Sequence, residues 1–486
     1  MAPPSALVPC GVPGLDDILG GGLRPGHLYF VEGTAGTGKT TLGLQFAREG
    51  LHQGESVLFV SLAESVGELH SIAESHGWDL TGLEMRDLAA AGSVHSTALF
   101  ELSEVELGDR VEALLAEMDA IKPQRLVLDT LAALRALSMQ GGEFRRHVER
   151  FRSKAQALGT TMLVTDELTG SAELHPRSLA WGVIQLEQRI GDYGPPRRRL
   201  WLPKLRGQTY RGGYHDLRIL SGGLQVFPRL DSSTVAGGSE PGQIASGVEA
   251  LDTLLGGGVQ RGTSLGIIGP PGCGKSTLVC TYALAAAARG ERVVLYLFDE
   301  SIETLKLRAQ SQGMDLDQAL ASELLLLRQV DPAELSPGEL AQELALEVSE
   351  RGTRIIGLDS LNGYLQAMPD EHFMSLHIHG LLTWLGKHGV LTLVTLAQPS
   401  PLTRQEGLAV DLSYITDAVI AQRYFEAYGS FRYAVSVIKK RYGDHERAIR
   451  EFCIGSTGIV VGEPLSEFRG VLSGVPEYVG KHQPLL

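Results

Sequence analysis

The chain contains itself twice. Residues 11–65 read GVPGLDDILGGGLRPGHLYFVEGTAGTGKTTLGLQFAREGLHQGESVLFVSLAES, and residues 247–301 read GVEALDTLLGGGVQRGTSLGIIGPPGCGKSTLVCTYALAAAARGERVVLYLFDES. Gly11 matches Gly247, Gly20 matches Gly256, Lys39 matches Lys275 and Glu64 matches Glu300, each pair 236 positions apart, so no gap is needed. Such self-similarity is the mark of a duplicated domain. A chain of 486 residues is too long for one compact core and suits two domains of about 200 to 250 residues. The copies meet in PRLDSSTVAGGSEPGQ, residues 228–243, where Pro, Gly and Ser concentrate and hydrophobic periodicity lapses. The expected organisation is a first domain over 1–230, a linker over 231–243 and a second domain over 244–486.

Within each copy an apolar strand (HLYFVEG, TSLGIIG) runs into a Gly-rich loop, a helix and a second apolar strand (SVLFVSL, RVVLYLF). Further apolar runs, RLVLD and TMLVTD in the first copy, RIIGLD and LTLVTLAQ in the second, alternate with amphipathic stretches. That pattern predicts buried parallel strands between helices. The expected fold class is α/β, two tandem domains that each hold a mostly parallel sheet flanked by helices.

The loops Gly33-Thr34-Ala35-Gly36-Thr37-Gly38-Lys39-Thr40, followed by Thr41, and Gly269-Pro270-Pro271-Gly272-Cys273-Gly274-Lys275-Ser276, followed by Thr277, both fit GxxxxGK[ST]. Glycines let the backbone bend until successive N–H groups point at phosphates. The helix N-terminus adds positive dipole, and the lysine reaches the β and γ oxygens. These residues are expected to bind ATP, with Thr40 and Ser276 holding Mg2+. Asp129 in RLVLDT and Asp359 in IIGLDS end strands expected to lie beside the loops, where a carboxylate orients the magnesium shell. A carboxylate at that place is also a common helix cap. Glu64 and Glu300 close the strand after each loop, at the edge where α/β sheets bind ligands, and are candidates to polarise an attacking water or hydroxyl.

Composition excludes several classes. The net charge of −14 argues against a surface devoted to nucleic-acid phosphates. No apolar run reaches 18 residues, and the start MAPPSALVPCG lacks a basic n-region with an apolar core, so the expectation is a cytoplasmic protein with no membrane partner. Cys10, Cys273, Cys280 and Cys453 show no CxxC pairing and read as reduced structural thiols. His372, His377, His379 and His388 share one helical stretch without a completing ligand and read as packing and surface residues. Arg197-Arg198-Arg199 reads as a solvated polar turn or part of a subunit interface.

With these residues in place, the chain resembles the two-domain KaiC proteins of the RecA-like P-loop superfamily over nearly its whole length. The likeness is carried by LGGGL before the first loop, both phosphate loops and their acids, Lys204-Leu205-Arg206-Gly207, and VIKKRYGDHERAIREF at residues 437–452, the most specific of these. It implies two RecA-like domains in a hexameric, two-tier ring of one kind of chain, with nucleotides at subunit interfaces. The first tier would be an ATPase, the second a serine/threonine autokinase and phosphatase. It also implies that Lys204 and Arg206, and Lys439 and Arg441, reach the neighbouring subunit's phosphates, and that Ser413 and Tyr414 in DLSYITDAV stand where the family has a phosphorylated Ser-Thr pair.

The chain departs from the family at three points. The adjacent glutamates after the second strand, the first of which is the family's general base, are here Ala63-Glu64 and Asp299-Glu300. Either Glu64 takes over in the first domain or hydrolysis there is weak, while Asp299 is one methylene shorter than the usual base. Tyr414 replaces the second acceptor. The ending LSGVPEYVGKHQPLL stops before the longer tail that KaiA grips in clock-type members, so that regulation is not expected, whereas a KaiB-like or sensor-kinase partner is. Two other readings share the phosphate loops: a DNA-dependent recombinase or helicase, since fold alone does not choose among RecA-like motors, and a scaffold that binds ATP to assemble but barely hydrolyses it.

Overall fold

A computed structural model describes residues 6–87, 102–137, 141–168, 176–191, 194–231, 242–331, 333–366, 374–398, 412–472 and 476–480. The expected linker falls largely on 232–241, outside the described residues. The chain divides into two compact units, Met1–Arg229 and Leu230–Leu486. Among the described residues no helix is long and apolar enough to cross a membrane.

The first unit is built on nine described strands: β1 (Leu28–Gly33), β2 (Val57–Ser61), β3 (Glu84–Asp87), β4 (Arg125–Asp129), β5 (Thr161–Glu167), β6 (Gly182–Arg189), β7 (Arg197–Leu205), β8 (His215–Leu220) and β9 (Gly223–Phe227). They order as β3-β2-β4-β5-β1-β6-β7-β8-β9. The first six are parallel and the last three join antiparallel. Every residue of β1, β2 and β4 is buried. Such uniformly buried strands arise when helices cover both faces, and here apolar clusters lie on each side of the sheet.

The second unit opens with a two-stranded pair, β10 (Gln243–Ile244) and β11 (Val259–Gln260). Its main sheet then repeats the first with β12 (Ser264–Gly269), β13 (Val293–Leu297), β14 (Leu325–Gln329), β15 (Ile355–Asp359), β16 (Leu391–Ala397), β17 (Ala418–Ala427), β18 (Ser430–Lys440), β19 (Arg450–Gly455) and β20 (Gly458–Pro464). The order β14-β13-β15-β16-β12-β17-β18-β19-β20 is the same topology. Tyr29 lies beside Gly182 in the first sheet as Leu265 lies beside Ala418 in the second, so the 236-residue offset runs on into β6 and β17.

Two expectations need correction. Asp129 and Asp359 do not end strands adjacent to the phosphate-loop strands: β5 separates β4 from β1, and β16 separates β15 from β12. The chain returns across the sheet after β4 and inserts the following strand, a long-range pairing that local pattern does not encode. Arg197-Arg198-Arg199 is not a polar turn but the start of β7, half-buried against β6 and β8.

Arg125, fully buried at the start of β4, binds Glu55 and donates to the Pro9 carbonyl at 2.7 Å and the Phe46 carbonyl at 3.1 Å. It thereby ties the N-terminal segment to the helix Lys39–His52. Arg125→Ala leaves these acceptors unpaired in the core and is expected to destabilise the first unit by about 3–5 kcal/mol. Urea unfolding of the full chain, followed by Trp78 and Trp181 fluorescence, measures it.

Candidate nucleotide sites

Each phosphate loop joins a buried strand to a helix. Gly38 and Gly274, the residues before the helices Lys39–His52 and Lys275–Ala288, sit at φ 100° and 99°, left-handed geometry that glycine adopts without strain. A Cβ on Gly269 would come 2.4 Å from the Gln422 carbonyl oxygen, so this loop also needs glycine for close approach. Lys39 Nζ donates to the carbonyls of Gly33 at 3.0 Å and Thr34 at 2.9 Å, and Lys275 Nζ to those of Gly269 at 3.0 Å and Pro270 at 2.8 Å. Both ammonium groups are thus held at the mouths of their loops. Burial lowers both pKa values, against the pull of the surrounding acids.

The loop tips are braced differently. Arg198 Nε donates to the Gly36 carbonyl at 3.1 Å, whereas Tyr424 Oη donates to the Pro271 carbonyl at 2.7 Å. Thr37 Oγ1 donates to Thr34 at 2.8 Å. Thr40 and Ser276 are half-buried at the first turns of their helices. Thr41 and Thr277 are buried, the latter donating to Gln312 at 3.0 Å, and Cys273 Sγ contacts Gln422 Oε1 at 3.5 Å.

Around the first loop, Asp129 is buried, one carboxylate oxygen taken by the Thr165 hydroxyl and the other, Oδ2, without a hydrogen-bond partner. Glu64 Oε2 is likewise buried and unpartnered. Burial, reinforced by the Asp129 carboxylate beside it, pushes the Glu64 pKa up to about 7. A carboxyl in that range can take a proton from water at neutral pH. Two hard oxygen donors and a nearby hydroxyl fit Mg2+, which binds through one or two carboxylates while keeping waters and substrate phosphates. Among the described residues there is no cluster of three or more His, Cys, Asp or Glu able to hold a metal alone.

The second loop has a different set. Asp359 Oδ1 accepts from Thr395 Oγ1 at 2.5 Å, repeating the first domain. Asp299 is exposed and accepts from the Ser360 hydroxyl. Glu300 is ion-paired with Arg308 at 2.7 Å, which opposes the rise that burial imposes on its pKa. Glu64 has no such partner, because Ile72 stands 236 positions before Arg308. Of the two acids after β13, Asp299 is therefore the one not tied to a cation.

The basic pairs stand apart from the loops of their own chain. Lys204 lies opposite Val183, which is level with Phe30, three residues before Gly33 on β1. Lys439 lies opposite Val419, level with Gly266 on β12. Lys204 Nζ donates to the carbonyls of Arg177 at 2.7 Å and Ser178 at 3.2 Å, and Arg206 to Ser178 at 3.4 Å. Lys439 Nζ donates to Thr416 at 2.6 Å, and Arg441 to the Tyr414 carbonyl at 3.0 Å and Asp417 Oδ1 at 3.2 Å. Tyr414 is exposed in the short helix Leu412–Ile415. Ser413 belongs to that helix, but its side chain lies outside the described residues.

Sequence patterns missed Thr165 and Thr395, each 36 positions after the aspartate it orients, although TMLVTD and LTLVTLAQ carry them in register. They also missed Ser360, Arg308 and Tyr424, and the bond of Arg198 to the first loop. Thr165→Val removes the hydroxyl that orients Asp129 without changing shape. It is expected to lower magnesium-dependent phosphate release from the first domain about 10- to 100-fold, read as a rightward shift in a magnesium titration.

The KaiC ATPase family matches residues 8–231 and again residues 244–466. The chain is 26% identical over 477 residues to the circadian clock oscillator protein KaiC of Acaryochloris marina, covering 96% of this chain and 91% of that protein. It is 27% identical over 472 residues to its namesake in Picosynechococcus sp., with the same coverage. Over 484 residues it is 27% identical to the circadian clock protein KaiC3 of Synechocystis sp., covering 97% of this chain and 95% of that one.

Proposed function

This chain belongs to the KaiC family of ATPases, and we propose that it binds Mg2+-ATP in both domains of a two-tier homohexameric ring. In this reading the first domain hydrolyses ATP and the second also transfers the γ-phosphate to Ser413, with Tyr414 as a second acceptor. A KaiB-like or sensor-kinase partner then reads the phosphorylation state in timing or signalling, in the cytoplasm.

One observation carries the ring. The Lys204 and Arg206 pair lies about 10 Å down the strand from its own phosphate loop and two strand spacings across, beyond the reach of those side chains. The same holds for Lys439 and Arg441. Basic residues so placed in both domains fit a role on an adjoining subunit's nucleotide.

Within each site the surroundings of the residues support the following roles. The loop amides and Lys39 or Lys275 hold the β and γ phosphates. Thr40 with Asp129, and Ser276 with Asp359, would hold the magnesium, which when bound neutralises phosphate charge. Glu64 takes the proton of the attacking water in the first domain. In the second, Asp299 takes the proton of water or of the acceptor hydroxyl, while Glu300 is restrained by Arg308.

Incubation with γ-labelled ATP, phosphopeptide mapping and a phosphate-release assay test the reading together. The expected result is label in the peptide bearing Ser413, lost in Ser413→Ala, with phosphate release from both domains. Release without label would remove the kinase assignment. Release that rises with DNA and collapses with salt would instead favour a DNA-dependent motor.

A further inference from the structure

The two domains differ most sharply beside the first phosphate-loop strand. Glu32 on β1 is level with Asp166 on β5 and Gln185 on β6, and Glu32 and Asp166 are fully buried. Arg177 forms an ion pair with Glu32 and also donates to Gln185 Oε1 at 3.3 Å. The matching triple in the second sheet is Ile268, Leu396 and Ala421, part of an apolar core. The same offset sets Ser413 at the position of Arg177.

A fully buried carboxylate reached by a partly exposed cation is seldom there for stability, since apolar residues of similar volume hold a core as well or better. The second domain makes that substitution. What the pair does provide is direction: it fixes one backbone segment relative to another. The segment is the turn Pro176–Ser178, whose carbonyls at Arg177 and Ser178 receive Lys204 and Arg206. The other end is Glu32, adjacent to Gly33, whose carbonyl receives Lys39 Nζ.

We propose that the Glu32 and Arg177 pair is a positioning lock. It ties the basic pair that one subunit presents to its neighbour to the strand carrying that subunit's own phosphate loop. In the second domain Arg441 is anchored at Tyr414, the match of Ser178, and Lys439 at Thr416, the match of Ala180, and no buried acid stands at 268 to hold that segment. The unlocked segment there is the one that bears Ser413. The proposal rests on the reading that Lys204 and Arg206 act across a subunit interface.

The test uses the full chain with Asp299→Asn and Glu300→Gln throughout, so that phosphate release reports the first domain. Glu32→Ile with Arg177→Ser installs the second domain's own residues and leaves no unpaired buried charge. The expected result is a KM for ATP within about threefold of the parent and a kcat lower by about 10- to 100-fold, as for a misplaced catalytic group. Arg177→Lys keeps the charge and is expected to retain most of the rate. Mixing the double variant with Lys39→Ala chains, whose basic pairs are intact but whose first sites are dead, is expected to recover turnover. A double variant whose own site was merely damaged would give no recovery. Unchanged kcat, a loss confined to KM, or a mixture with no recovery would overturn the lock. Arg206→Ala is the control that separates the two ideas: if it leaves turnover unchanged, the trans reading itself fails. If Arg206→Ala is slow and is rescued by Lys39→Ala chains while the double variant is not, only the lock fails.

Discussion

Lys39→Ala and Lys275→Ala are each expected to remove one of two ATP equivalents bound per chain, and the double substitution to remove both. Each ammonium sits at the mouth of its loop on two carbonyls, already partly desolvated, so bringing it onto phosphate oxygens requires little reorganisation. Losing a partly buried charge partner costs about 2–5 kcal/mol, or roughly 30- to several thousand-fold in affinity. The loop backbone survives the change, because its shape is set by Gly36 and Gly38, and by Gly272 and Gly274, all at positive φ. Equilibrium dialysis counts the equivalents directly. A stoichiometry of two in either single variant would refute the assignment of that loop.

The second large effect is expected at Arg206. The side chain is exposed and donates a long hydrogen bond to the Ser178 carbonyl at 3.4 Å, so Arg206→Ala should change stability by no more than about 0.5 kcal/mol. A guanidinium supplied across an interface is nevertheless worth about 10³ to 10⁵ in rate. Turnover by the first domain is therefore expected to fall by at least about a thousandfold, with unfolding midpoint and ATP binding unaltered. Arg441→Ala should do the same to the second domain. It also removes the hydrogen bond to the Tyr414 carbonyl, so label at the Ser413 peptide should fall with it. Unchanged ring assembly and unchanged turnover per chain in Arg206→Ala would show that the basic pair has no catalytic part.

Much of this protein is legible in its residues because the signals are local. GxxxxGK[ST] after an apolar strand specifies a strand, a left-handed glycine and a helix start within a dozen residues, and the structure has them at Gly38 and Gly274. The α/β class follows from short, uniformly apolar runs, and the duplication follows from reading the chain against itself. Ala63 and Asp299 also show, from sequence alone, that the two sites are not copies in residue type.

What sequence left open depends on which strand lies beside which. The insertion of β5 between β4 and β1 brings Thr165 onto Asp129, and that of β16 brings Thr395 onto Asp359. Nothing in RLVLD or TMLVTD states that pairing, since strand register is fixed by contacts between residues far apart in the chain. The arginines of β7 read as a turn because three charges in a row mask the alternation of a strand packed against β6. Nothing in HLYFVEG marks Glu32 as the partner of Arg177, 145 positions later, which reaches it where β1 is buried. The sequence thus determined the two domains, their phosphate loops and the residue types around them, because these rest on short-range geometry and composition. Only the tertiary structure decided how each acid is oriented, which basic groups stand away from their own loop, and where a buried charge replaces apolar packing. Those depend on long-range registry and on a desolvation cost that exists only once the core has closed.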